Sequence, residues 1–193
     1  GKTRTLMRNT LIFTIGSFGS KFIQFFLVPL YTYTLNPAQF GTTELILTAA
    51  NLLTPIFSIS IADGLLRFGL DTKLKKEMVL KCSLIIVAGG TLLSVAASPL
   101  IGLNATLGQW VVYFLLILNL RIYRDVFATY LKVKDKNRLF AADSILYILE
   151  FCAACIVFLV WLQMGITGYF LAYVVANVLS IVFLLIAGKP FAD

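Results

Sequence analysis

Hydrophobic residues run along this chain in stretches of about 20, the length an α-helix needs to cross a hydrocarbon core roughly 30 Å thick. Six spans are predicted, at 10–35, 40–62, 79–101, 107–131, 140–162 and 166–187. The breaks between them alternate in kind. NPAQFG, GLNATLGQ and QMGIT carry no charge, whereas DTKLKKE and KVKDKNR are rich in lysine. The first stretch is too long for the apolar segment of a cleaved signal peptide and no small-residue cleavage site follows a short core, so it reads as a true span.

Within five of the spans the polar residues recur at helical steps of three and four. The first has Thr10, Thr14, Ser17, Lys21, Gln24 and Tyr31, interrupted by Val28. The second has Glu44, Thr48, Asn51, Pro55 and Ser58, with Pro55 expected to kink the helix near its middle. Arg121, Arg124 and Asp125 share a face of the fourth; Asp143, Tyr147 and Glu150 follow in the fifth, and Tyr169, Tyr173, Asn177 and Ser180 in the sixth. The third span lacks such a stripe and is expected to be peripheral. Lipid-facing positions are apolar, so polar faces on five helices predict contact with protein or water. At about 1.5 Å per residue, Lys21, Arg121 and Glu150 all lie roughly 16 to 19 Å from the basic end of their helices, near mid-membrane. Two explanations stand side by side. Glu150 neutralises Lys21 or Arg121 while Arg124 binds Asp143 or Asp125 in a static bundle, or the stripes enclose a water-filled cavity.

Composition and charge agree with a membrane chain. Hydrophobic residues make up 60% and charged residues 13% of the 193 residues, with mean hydropathy +0.92. The formal net charge of +7 is topological. Lys2, Arg4 and Arg8 precede the first span; Arg67, Lys73, Lys75, Lys76 and Lys81 lie at the second break, Lys132, Lys134, Lys136 and Arg138 at the fourth, and Lys189 after the sixth. Retention of basic loops on the cytoplasmic side puts both termini there. Bordering spans as they do, these residues form no soluble basic module, and no nucleic-acid partner is expected. Cys82, Cys152 and Cys155 fall within spans and, with no histidine in the chain, make no zinc site; they read as small buried side chains.

FGSKFIQFFLVPLYTYTLNPAQFGTTELILTAANLLTPIFSISIADGLLRFGLD resembles the first two helices of bacterial polysaccharide flippases. The shared pattern here is Gly19, Ser20 and Lys21; Pro29, Tyr31, Thr32, Leu35, Pro37, Phe40 and Gly41; then Arg67 and Phe68. TYLKVKDKNRLFAADSI is similar to that family's junction between helices four and five. The superfamily also holds multidrug exporters and the lipid II flippase. The resemblance implies an all-α transmembrane fold in which residues 1–193 form the amino-terminal six-helix bundle, one lobe of a two-lobe, inverted-V transporter. The carboxy-terminal lobe is then expected outside this chain, as a partner, with a self-pairing half-transporter as the alternative.

The resemblance further implies a multi-pass protein of the bacterial inner (cytoplasmic) membrane, moving an undecaprenyl-pyrophosphate-linked oligosaccharide by alternating access for O-antigen, capsule or exopolysaccharide assembly. Lys21 would meet the pyrophosphate, with Arg121 and Arg124 as further cations and Gln24 and Asn51 binding sugar hydroxyls. In the multidrug branch the coupling site of this lobe lies on the first, fifth and sixth helices, which here supply Lys21, Glu150 and Asn177. Asp143 joins Glu150 as a coupling or charge-pairing residue. No cofactor or metal is expected, and coupling would be to protons or sodium; besides the lipid-linked substrate and the other lobe, the expected partners are membrane lipids. A multidrug exporter should show a more acidic and aromatic cavity. A membrane-embedded polymerase or glycosyltransferase would need acid and base groups near the interface. With no histidine, no clustered aspartates and no long outward loop, no enzyme is expected. A structural scaffold would tolerate apolar replacement of the central charges.

Overall fold

The computed structural model describes residues 25–71 and 73–190, with isolated helical positions at Met7, Thr10 and Thr14 and the backbone alone at 106 and 107. Ser17, Lys21 and Gln24 therefore lie outside the described residues. No strand occurs among those described. Helix α1 covers 25–34, α2 Pro37–Ser58, α3 Ile61–Gly69, α4 Lys76–Ala96, α5 Ser98–Ile101, α6 Ala105–Gln109, α7 Val111–Val133, α8 Asn137–Cys155 and α9 Ile166–Gly188. A π-helical turn, Ile156–Trp161, extends α8.

The tight break between α1 and α2 is a capping box. Asn36 Oδ1 accepts the Gln39 N–H at 2.8 Å, Gln39 Oε1 accepts the Asn36 N–H at 3.1 Å, and Pro37 occupies the first helical turn, where its missing N–H costs nothing. α2 ends differently from the sequence expectation. Pro55 lies in its last turn, not its middle, and the chain breaks at Ile59 and Ser60, both left-handed with φ of 52° and 48°. The Ser60 N–H reaches back to the Pro55 carbonyl at 3.0 Å, closing the end of the helix before α3 departs. A β-branched residue in this region is strained; Ile59 is itself exposed, and the bend is anchored by Phe57 and Ser58, buried just before it.

Four described helices are long and apolar enough to cross a membrane: Pro37–Ser58, Lys76–Ala96, Asn137–Trp161 and Ile166–Gly188. This is a membrane protein by that measure. α7 matches them in length but carries Arg121, Arg124 and Asp125 mid-helix. It can do so because it is the hub, packed against α2, α3, α4, α8 and α9. Phe114, Leu118, Val126, Phe170, Ala172 and Ala176 are fully buried around it, while Leu52, Ile85, Leu92 and Ile186 stay well exposed on the outside. An apolar exterior is the surface lipid requires.

Close helix approach depends on small residues, since lipid gives no hydrophobic drive to pack. A Cβ on Gly90 of α4 would stand 1.9 Å from the Phe57 carbonyl oxygen of α2. The third span is also less bare than its sequence implies. Ser83 and Ser94 of α4 are buried, and Ser94 accepts a hydrogen bond from Asn119 Nδ2 of α7 at 3.0 Å. Small hydroxyls escaped notice because they satisfy themselves locally, Ser83 on the Val79 carbonyl and Ser94 on that of Thr91.

The lysines of the breaks are partly structural. Lys76 Nζ donates to the Val133 carbonyl at 2.9 Å, and Lys136 Nζ to that of Gly188 at 2.8 Å, capping the C-termini of α7 and α9. These bonds bring the starts of α4 and α8 and the ends of α7 and α9 to one end of the bundle. The connections at the other end, 35–36, 97–110 and 162–165, contain no ionisable side chain. The cysteines depart from expectation: Cys155 is buried, Cys152 half-buried and Cys82 exposed, because Cys82 faces outward from α4.

Candidate functional site

Helical spacing brings side chains from α1, α2, α7, α8 and α9 to a common cavity of about 410 Å3. On α7 the lining positions are 117, 121, 124 and 125, and on α9 they are 169, 173 and 177. Steps of three and four keep each set on one face. Asn51, Arg121, Arg124 and Asn177, all predicted from sequence, line this space.

Toward the basic end the cavity is ionic. Arg124 Nη2 donates to Asp143 Oδ2 at 2.8 Å and its Nε to Ser180 Oγ at 2.7 Å, while the Ser180 hydroxyl donates to Asp143 Oδ1. The Arg124 guanidinium also lies 4.0 Å from the centre of the Tyr147 ring. Asp143 is fully buried, so it is available to the guanidinium and the hydroxyl and not to the cavity. Arg121 has a different fate. It donates to the amide oxygen of Asn51, a neutral partner. Asp125 lines this cavity and also a second, smaller one beneath the α2–α3 bend, beside Ser58, Ser60 and Asp63.

Toward the uncharged end the lining turns aromatic. Tyr31 of α1 meets Tyr169 edge-on with centroids 4.7 Å apart, Tyr169 meets Tyr173 at 5.4 Å, and Phe151 lies 4.3 Å from Tyr173. Asn177 joins the two halves, its Nδ2 donating to the Tyr173 carbonyl at 2.8 Å and reaching the Tyr147 hydroxyl at 3.5 Å.

Several sequence expectations resolve here. Of the partners open to Arg124, the structure selects Asp143. Glu150 does not pair with Arg121, and a pairing with Lys21 lies outside the described residues. Cavity-facing positions of α8 are 147, 148 and 151, and Glu150 is displaced by one residue, roughly 100° of helix, from Phe151. Its Oε2 is enclosed without a hydrogen-bond partner among the described residues. The described lining is formally balanced, Arg121 and Arg124 against Glu44 and Asp125. Phe151 went unnoticed in the sequence, because one more aromatic residue in an apolar span carries no signal. No metal-binding cluster of histidine, cysteine and carboxylate side chains occurs among the described residues.

Comparison with protein-family models, with curated proteins and with solved structures found no match.

Proposed function

We propose that this chain is the amino-terminal six-helix lobe of a bacterial polysaccharide flippase, carrying a lipid-linked oligosaccharide across the cytoplasmic membrane between alternately opened faces. The observation that carries the reading is Arg121. It is a permanent cation facing a cavity inside an apolar bundle; its hydrogen-bond partner is the neutral Asn51, and it closes no ion pair among the described residues, although Asp125 lines the same cavity one turn along α7. Holding an arginine at such depth costs at least about 2.5 to 3.5 kcal/mol, and an anionic ligand such as a pyrophosphate would offset that cost. Lys21, from the resemblance, would add a second cation, with Gln24 beside it. Tyr169, Tyr173 and Asn177 offer ring faces and an amide to sugar rings and hydroxyls. Basic residues gathered at one end support cytoplasmic termini. In this reading the carboxy-terminal lobe completes the cavity, and protons or sodium drive the cycle.

A second reading has an observation of its own. The tyrosine-rich half together with Glu44 and Asp125 fits a cation-coupled multidrug exporter of the same superfamily. Charge reversal of roles separates the two. Arg121→Gln in the full-length protein should abolish surface glycan and leave lipid-linked glycan on the inner leaflet, with membrane abundance unchanged. An exporter would instead lose efflux of cationic dyes on Asp125→Asn and Glu44→Gln, with glycan display intact. Undiminished glycan export by Arg121→Gln removes the observation on which the flippase reading stands.

A further inference from the structure

Away from the central cavity, α3 and the first half of α4 enclose a groove of about 270 Å3 on the outside of the bundle. Leu65 and Phe68 form its α3 wall and Met78, Cys82 and Ile86 its α4 wall, and hardly any polar atom reaches it. Phe68 and Met78 are more than half exposed, so the groove is open along its length. From Met78 to Ile86 it runs eight residues, about 12 Å, from the basic end into the depth of the membrane.

At its mouth the charge changes. Leu74 lines the groove between Lys73 and Lys75, and Lys75 stands one turn before Val79 on the lining face of α4. Lys73 and Lys75 are both exposed. Of the nearby acids, Asp71 already accepts the Lys73 backbone N–H at 2.9 Å, and Glu77 is turned half inward. Lys76 is occupied on the Val133 carbonyl. An apolar channel lying along the membrane normal, with free ammonium groups at its interfacial end, is complementary to one molecule class: an acyl chain bearing a phosphate of negative charge.

We infer that the α3–α4 groove is a binding site for an anionic phospholipid, one acyl chain lying between Phe68 and Ile86 and the phosphate held by Lys73 and Lys75. This stands on the membrane reading alone and is independent of what the central cavity carries. Cys82, in the groove, is a built-in reporter. Cys152 of α8, half-buried and outside the groove, serves as its control within the same chain.

The test measures maleimide alkylation of Cys82 by peptide mapping, with the full chain in nanodiscs of phosphatidylcholine or of phosphatidylcholine containing phosphatidylglycerol. Phosphatidylglycerol should slow Cys82 by about fivefold, the factor one lysine at an anionic surface contributes, with Cys152 unaffected. Lys73→Gln and Lys75→Gln together should erase the difference, and these exposed side chains hold no part of the core. Gly64→Leu is the second variant. A Cβ there meets only the Ile61 Cδ1, at 3.6 Å, an ordinary contact, so the backbone accepts a side chain at the groove wall. Native mass spectrometry should then show phosphatidylglycerol retained by the parent chain and lost from this variant. Equal alkylation in both lipids, persistence of the difference in the double lysine variant, or protection that follows copies per disc in place of lipid charge would each overturn the assignment, the last in favour of a second copy of the chain.

Discussion

The two halves of the central cavity are held by different physics. In the ionic half, Arg124, Asp143 and Ser180 are three side chains from three helices joined by directional bonds, and each leaves the others stranded if it goes. In the aromatic half, Tyr31, Phe151, Tyr169 and Tyr173 touch through faces and edges that tolerate adjustment. One half specifies how α7, α8 and α9 register; the other fills space between them. That contrast locates where a ligand can act. Arg124 is committed to the fold, whereas Arg121, one turn away and partnered by an amide, can exchange that partner for a ligand.

The strongest way to break this contrast is to remove Asp143. Asp143→Ala removes the ion-pair partner of a largely enclosed guanidinium, leaving it Ser180, the Tyr147 ring and the neighbouring Asp125 of the cavity lining, and should destabilise the bundle by about 3 kcal/mol. Equilibrium unfolding in mixed detergent micelles would measure it. Arg124→Leu combined with Asp143→Leu should recover most of the loss, because no charge is then left unpaired. A single variant costing under about 1 kcal/mol would mean the ionic half does not hold the helices together.

In the aromatic half the corresponding cut is Phe151→Ala. Loss of a buried ring costs about 3 kcal/mol in a core that cannot collapse, somewhat less where the cavity admits water. Phe151→Leu should restore most of it. Here no partner substitution should rescue the alanine variant, and that is the point of difference. If replacing Tyr173 recovered the stability of Phe151→Ala, the aromatic residues would be coupled as specifically as the ion pair.

The sequence made the polar side of this site legible and the rest much less so. A charged or amide residue inside an apolar span is conspicuous, so Asn51, Arg121, Arg124 and Asn177 could be assigned to one interior by spacing alone. Which acid Arg124 would choose depended on the register of α7 against α8, and spacing within a helix carries no such information. The left-handed break at Ile59 and Ser60 has neither glycine nor asparagine to announce it, so the second span read as continuous to 62. The stripe on α4 was hidden for the opposite reason, its hydroxyls being small and bonded back to their own helix. The capping box at NPAQ, by contrast, is local chemistry and sits where the break was read.

Tyr147 lies on the seam between the halves and gives the smallest, most discriminating effect. Its ring faces Arg124 at 4.0 Å while its hydroxyl meets Asn177 only at 3.5 Å, too long for a strong bond. Tyr147→Phe keeps the ring and should change stability by less than about 1 kcal/mol. Tyr147→Leu keeps apolar volume but removes the π face, and should cost about 1 to 2 kcal/mol in a desolvated setting. The ordering decides to which half the residue belongs. Leucine worse than phenylalanine makes Tyr147 a part of the Arg124 cage, held by its face. Equal losses for the two would transfer the weight to the hydroxyl and to Asn177, and the ionic network would then extend one helical turn further toward the tyrosines than the Arg124, Asp143 and Ser180 cluster alone.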